Sequence, residues 1–272
     1  LPDLFHLGSD GRPTVVAGVP PDYFSTTGQR WGNPHYHWDV HRADGYQWWA
    51  DRLQAMFDRF DMVRIDHFRG FVASWEIPVA EPTAVKGHWA DGPGIELFKA
   101  VRSKIGTMSI IAEDLGVITE EVTELRRALG YPGMRVAQFG FDEEQDTALH
   151  HPANYPPDVV AYTGTHDNDT TIGWFWGENQ RRDRRRLDRN RRKLLALVGS
   201  KGTEINWDLI RVVFASAAEV AVTPIQDVAG IGSEGRMNQP GTGQGNWTWR
   251  MTERLSPDHV EKLAEVTRAS SR

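Results

Sequence analysis

The chain has 272 residues, a formal charge of −6 and no cysteine, with 39% hydrophobic and 25% charged residues. That balance is globular and excludes disorder, while the missing cysteine excludes a disulfide framework, thiolate metal sites and a cysteine nucleophile. The length suits one large α/β barrel or two ordinary domains.

Residues 1–44 read as loop, because Gly18-Val-Pro-Pro-Asp-Tyr-Phe24 and Gly28-Gln-Arg-Trp-Gly-Asn-Pro34 are dense in turn residues. Trp49, Leu53, Met56, Phe57 and Phe60 then follow helical spacing, and Met62-Val-Arg-Ile65 reads as a strand running into Asp66. A loop holds Trp75-Glu-Ile-Pro78. Ile95, Phe98, Val101 and Ile105 mark a second helix stopped by Gly106, and Ser109-Ile-Ile-Ala112 is a strand running into Glu113. Thr119 caps a third helix that Gly130 ends. Met134–Phe139 and Val159–Thr163 are further strands, the second followed by Gly164-Thr-His-Asp-Asn-Asp-Thr170. Helical stretches cover Asn179–Val198 and Asn206–Ala218, Val220–Thr223 is a fifth strand, and Ser256 caps a last helix with Pro257 at its first position. Short buried strands alternating with helices predict a parallel sheet, with carboxylates at strand ends as a (β/α)8 barrel places them. Five strands are legible where such a barrel has eight.

The strand-end carboxylates carry the chemistry. Arg64 and Asp66, two residues apart in a strand, share a face, and an Arg beside a carboxylate favours the charged form and fixes its orientation, as a nucleophile needs. Glu113 has an apolar approach, Ile-Ile-Ala, which raises a carboxyl pKa toward general-acid work. Asp167 lies in a polar cluster after its strand. Each alone also reads as a capping or strand-end carboxylate, and three at one end of a sheet favour the catalytic reading. Eleven Trp against six Tyr, many beside Gly, Pro and Asn, add flat faces for sugar rings as well as ordinary packing.

Gly18-Val-Pro-Pro-Asp-Tyr-Phe-Ser25, Gly28-Gln-Arg-Trp-Gly-Asn-Pro34, Arg-Ile-Asp-His-Phe-Arg-Gly-Phe71, Ile-Ala-Glu-Asp-Leu-Gly116 and Thr-His-Asp-Asn-Asp-Thr170 resemble the amylomaltases, the 4-α-glucanotransferases of the α-amylase superfamily. Met237-Asn-Gln-Pro-Gly241 and Asn246-Trp-Thr-Trp-Arg250 resemble late segments of the same family. The resemblance implies a retaining double displacement with Asp66 as nucleophile, Glu113 as acid/base and Asp167 binding the sugar's 2- and 3-hydroxyls. It implies supporting or substrate-binding roles for Arg64, His166, Trp31, Asn238 and Pro240, and an aromatic lip at Tyr23 and Phe24 that excludes water on the acceptor side. The partners it implies are maltooligosaccharides and α-glucans derived from starch or glycogen, with no cofactor, metal, nucleic acid or membrane, in the cytoplasm. Residues 1–272 are then the C-terminal part of a single catalytic barrel, about strands four to eight, with 1–44 as the substrate-lip loop region. We therefore expect a fragment of a longer enzyme. The alternatives are an α-glucan hydrolase of the same superfamily and an inactive glucan-binding barrel fragment.

Three other signals compete. Gly230-Ile-Gly-Ser-Glu-Gly235 matches GxGxxG, but the residues after it do not start a helix that would hold a pyrophosphate. His35, His37 and His41 form HxHxxxH in a loop, read as surface and hydrogen-bonding histidines rather than ligands. Eight Arg, one Lys and two Asp give Arg181–Lys193 a local charge of +7, read as a solvated helix face rather than a nucleic-acid surface.

Overall fold

The computed structural model describes residues 2–21, 25–142, 147–177 and 184–272. The chain divides into two compact units, Leu1–Gly133 and Met134–Arg272.

In the first unit, β1 (Val15–Val19) and β2 (Gln29–Pro34) precede α1 (Trp38–Ala43), α2 (Gln47–Phe57) and β3 (Val63–Ile65). Next come β4 (Ala73–Pro78), β5 (His88–Asp91), α3 (Gly94–Ile105), β6 (Ile110–Ala112) and α4 (Glu120–Leu129). β3 and β6 pair in parallel, and a separate sheet runs in the order β2-β1-β4-β5 with antiparallel neighbours. That sheet corrects the loop reading of residues 1–44 and of the Trp75 segment. Gly18 sits in β1 because a Cβ there would come within 2.1 Å of the Gln29 carbonyl oxygen and 2.6 Å of Ile77 Cδ1. The ladder shifts register between Val16 and Gly18, so this glycine marks a close approach within a sheet, where local composition suggests a turn. β1 finds its second partner, β4, far along the chain, Val16 standing opposite Ile77, so local propensity gives little notice of it.

The helices follow their apolar spacing. Phe98 and Val101 of α3 are fully buried, with Leu97 beside them, against Tyr46, Leu53, Phe68, Phe71, Ile110 and Ala112. Thr119 stands in extended backbone before α4, and Gly130 ends that helix at φ 71°, a left-handed turn that an L side chain rarely adopts.

In the second unit, β7 (Gly133–Val136), which straddles the boundary, runs into a 3-10 turn at Ala137–Phe141. It is followed by α5 (Thr147–His150), β8 (Val159–Tyr162), α6 (Thr171–Trp176) and α7 (Arg184–Val198). Then come α8 (Ile205–Phe214), β9 (Val220–Val222), α9 (Ile225–Ala229) and α10 (Pro257–Ala269). A sheet runs β7-β8-β9, with β8 and β9 parallel. Its core holds Phe141, Val159, Ala161, Trp174, Leu194, Leu209, Ile210 and Val213. Ser256 caps α10 as its sequence predicts, its hydroxyl accepting from the His259 N–H at 3.3 Å. The five strands legible in the sequence are therefore present as β3, β6, β7, β8 and β9, in an α/β fold. Among the described residues no closed barrel is seen.

Candidate active site

β3 and β6 place two carboxylates in step. Their parallel register pairs Val63 with Ile110, Arg64 with Ile111 and Ile65 with Ala112, so the next residues are Asp66 and Glu113. Adjacent strands lie about 4.8 Å apart, and residues two apart share a face. Asp66 and Glu113 thus continue the face of Arg64 and Ile111, opposite the one by which Val63, Ile110 and Ala112 enter the core.

Their surroundings differ. The Asp66 side chain is 75% exposed, and Arg64 Nη2 donates to its Oδ1 at 2.7 Å. Glu113 is half-buried; its Oε1 accepts from the Leu115 N–H at 2.7 Å and its Oε2 from the His67 N–H at 2.6 Å. Burial pushes the Glu113 carboxyl up to about 6; the Leu115 N–H works against that shift, the Asp66 charge adds to it, and the His67 N–H and Arg64 oppose it. One carboxylate is oriented by a cation and the other is raised by burial.

The neighbouring residues supply shape. Trp31 in β2 is 44% exposed and meets the His67 ring edge-on at a centroid distance of 4.8 Å, which brings it beside the segment that carries Asp66. Arg69 lies over Trp89 at 4.0 Å and donates to the Val117 carbonyl oxygen at 2.5 Å. Tyr23 and Phe24 lie outside the described residues.

In the second unit, the 164–170 segment after β8 carries His166 and Asp167. Asn238 Nδ2 donates to Asp167 Oδ1 at 2.6 Å, and its own N–H donates to the His166 carbonyl oxygen at 3.0 Å. His166 Nε2 lies 3.4 Å from Asp167 Oδ1, and its ring stands 5.2 Å from that of Trp247. Arg236 Nη2 donates to the Asp167 carbonyl oxygen at 2.7 Å. His166, Asp167 and Asn238 are therefore brought together. Pro240 stands exposed in the turn that follows, with no contact placing it at Asp167.

A buried network holds this segment. Asp227, carried by α9, accepts from the Thr163 hydroxyl at 2.7 Å, the Thr171 N–H at 2.7 Å and the Thr171 hydroxyl at 2.8 Å. Asp169 Oδ2 accepts from the Ser233 hydroxyl at 2.6 Å, and Gln138 Nε2 donates to the Asp169 carbonyl oxygen at 2.9 Å. Burial pushes the Asp227 carboxyl up, against the pull of its three donors. Sequence reasoning singled out neither His67 nor Asn238 as a holder of a carboxylate. His67 gave one signal, its place directly after Asp66; Asn238 gave none beyond its motif.

The competing motifs resolve differently. His41 Nε2 lies 3.1 Å from the Leu4 carbonyl oxygen, His35 Nδ1 lies 3.2 Å from the Ser74 hydroxyl, and the His37 ring meets that of His6 at a tilt, so the three histidines serve separate contacts. Among the described residues no group of three or more His, Asp or Glu is arranged to hold a metal ion. The GxGxxG glycines end α9 and form a three-residue 3-10 turn, with no helix start for a phosphate. Residues 181–183 of the basic stretch lie outside the described residues; within it Arg186 pairs with Asp142 and Arg191 donates to the carbonyl oxygens of Phe175 and Trp176. No helix among the described residues is long and apolar enough to cross a membrane.

The fold is α/β, with two carboxylates in step after adjacent parallel strands. Residues 1–256 match the 4-alpha-glucanotransferase family, and the chain belongs to it. It is 47% identical to the 4-alpha-glucanotransferase of Thermus thermophilus, covering 100% of this chain and 54% of that protein. It is 44% identical to the chloroplastic/amyloplastic enzyme of Arabidopsis thaliana, covering 97% of this chain and 44% of the relative. Its structure is similar to amylomaltase from Streptococcus agalactiae in complex with acarbose, at a TM-score of 0.92 and 38% identity, covering 100% of this chain and 54% of that one. The chain thus spans about half the length of the curated relatives it matches.

Proposed function

We propose that the chain carries the catalytic carboxylates of a 4-α-glucanotransferase that moves α-1,4-glucan segments between maltooligosaccharides by a retaining double displacement. The observation that carries this reading is the pair Asp66 and Glu113, in step on adjacent strands and set apart electrostatically. Asp66, oriented by Arg64, attacks the anomeric carbon; its Oδ–C bond forms as the glycosidic C–O bond breaks. Glu113, protonated below about pH 6, gives its proton to the leaving oxygen. The same carboxylate then takes the proton of an acceptor 4-hydroxyl, which displaces Asp66 and restores both groups. The separation this chemistry needs, about 5–5.5 Å, is close to the strand spacing of about 4.8 Å.

Asp167, with its Asn238 and His166 neighbours, takes the sugar's 2- and 3-hydroxyls, and Trp31 supplies an exposed aromatic face that favours a sugar acceptor over water. The strands β3, β6, β7, β8 and β9 belong, on this reading, to strands four to eight of a (β/α)8 barrel. The parallel pairs β3–β6 and β8–β9 and the similarity to amylomaltase support that assignment. The substrates are maltooligosaccharides and α-glucans from starch or glycogen; the acarbose complex of the Streptococcus agalactiae amylomaltase favours this class over other sugars.

The test is incubation with maltotriose and mass spectrometry of the products. A ladder of longer oligosaccharides plus glucose, abolished by Asp66→Asn, is the expected result. Glucose and maltose without longer products identify a hydrolase instead, and binding without turnover identifies a glucan-binding fragment.

A further inference from the structure

The turn between β3 and the helical turn at Phe68–Phe71 is built on one residue. His67 adopts φ 49° and ψ 53°, a left-handed conformation that is uncommon for any residue with a Cβ and is tolerated better by His, Asn and Asp than by most. Three hydrogen bonds tie this turn to Glu113. The Glu113 N–H donates to the Ile65 carbonyl oxygen at 3.0 Å, and the Phe68 N–H donates to the Glu113 carbonyl oxygen at 3.1 Å. Between them, the His67 N–H donates to Glu113 Oε2 at 2.6 Å, the one bond of the three that reaches the side chain. With φ in the usual negative range, the peptide before His67 would turn and carry this N–H away from the carboxyl.

The rest of the residue pins the turn. Phe68, the next residue, is fully buried against Phe71, Phe98 and Tyr131, so the chain cannot relax downstream without exposing an aromatic ring. The His67 ring meets Trp31 edge-on. Burial, with Arg69 nearby, lowers the imidazole to about 4, so the ring is neutral where the carboxyl titrates.

We infer that His67 is a positioning residue for Glu113, acting through its left-handed backbone, which aims one N–H at Oε2 and fixes the carboxyl beside Asp66. The inference rests on the proposed role of Glu113 as acid/base and deepens it. The Leu115 N–H on Oε1 alone leaves the carboxyl free to swing about that bond; two donors on two oxygens fix its plane. Both donors favour the charged form, so they also limit how far burial raises the group. The charged and titratable groups facing Glu113 are Arg64 from β3, Asp66 just after it and His67 itself, while Asp114 turns away to Arg126 and Gly133.

The two contributions of His67, backbone and ring, separate by substitution. His67→Gly keeps access to the left-handed conformation and removes the imidazole; His67→Val keeps bulk and disfavours that conformation most. The measurement is the carbon-13 shift of the Glu113 carboxyl against pH, in the free protein, with circular dichroism as the check of folding. The expected result is an unchanged midpoint in His67→Gly and a midpoint about one pH unit higher in His67→Val, a tenfold change in the acid constant. A rise in His67→Gly equal to that in His67→Val overturns the inference, because the ring would then be responsible. An unchanged midpoint in His67→Val overturns it as well. If His67→Val does not fold, His67→Ala puts the same question with less bulk, read against the same two outcomes. The titration needs no substrate, so its failure leaves the glucanotransferase reading standing. An intact titration with no transfer products counts against that reading and not against His67.

Discussion

Glu113 is pushed up to about 6 on a strand adjacent to Asp66, whose carboxylate adds to that shift while being held by Arg64 at 2.7 Å. The two groups begin as similar carboxyls on identical strand ends, and what separates them is solvent and a cation. Asp66 is out in water with a guanidinium beside it; Glu113 is withdrawn against the chain, with only backbone donors. In the proposed mechanism, the proton donor and the attacking anion need that separation.

The same shift makes stability depend on pH. The folded-state value of about 6 lies above the ordinary 4.5, so the stability linked to Glu113 is fully present below pH 4.5 and is lost as pH rises through about 6. The difference of about 1.5 pH units corresponds to at most about 2 kcal/mol. Urea unfolding of the wild type and of Glu113→Gln at pH 4 to 8 reads this directly. The wild type should lose about 2 kcal/mol relative to the variant across that window. Parallel curves would show that the carboxyl is not raised. The variant should also lose about 10²–10⁴-fold in transfer rate, the usual worth of a positioned acid/base.

Asn238 offers a cleaner test of the second unit. Its side chain donates to Asp167 Oδ1 at 2.6 Å while its backbone N–H holds the His166 carbonyl oxygen, and Asn238→Ala removes the first bond and keeps the second. A hydrogen bond to a charged group is worth about 1.5–3 kcal/mol, so kcat/KM for maltotriose should fall about 10-fold or more. Because Asn238 is only half-buried, the melting temperature should move by less than about 3 °C. A large drop in melting temperature with unaltered kcat/KM would make Asn238 a structural residue only.

Which parts were legible follows from where the information sits. The helix of Phe98 and Val101 and the strands ending at Asp66 and Glu113 announce themselves because their apolar residues recur at local spacings that tertiary packing then uses. The pairing of β1 with β2 and β4 is invisible at that range: Gly18 reads as a turn until Gln29 and Ile77 are seen against it. The catalytic candidates were legible as residues at strand ends, with the burial of Glu113 foreshadowed by Ile110, Ile111 and Ala112. Their holders were not. His67 holds Glu113 by a backbone N–H, which carries no side-chain signature, and Asn238 reaches Asp167 from 71 positions further along the chain.

Asp227 is the second unit's buried staple, and its loss should be felt at a distance. Thr163 follows the end of β8 and Thr171 begins α6, so the carboxyl that accepts from both ties together the two ends of the 164–170 segment carrying His166 and Asp167. Asp227→Ala leaves three buried donors without this acceptor and opens a cavity. At about 1–3 kcal/mol for each orphaned group, partly offset by relaxation, the cost should be about 4 kcal/mol, which lowers the melting temperature by roughly 10 °C. The effect on turnover should exceed what residual folding explains, because the segment can then move even in molecules that remain folded. Measuring kcat/KM well below the variant's melting temperature separates the two. A folded variant with wild-type kcat/KM would confine Asp227 to stability and leave the placement of Asp167 to Asp169, Gln138 and Asn238.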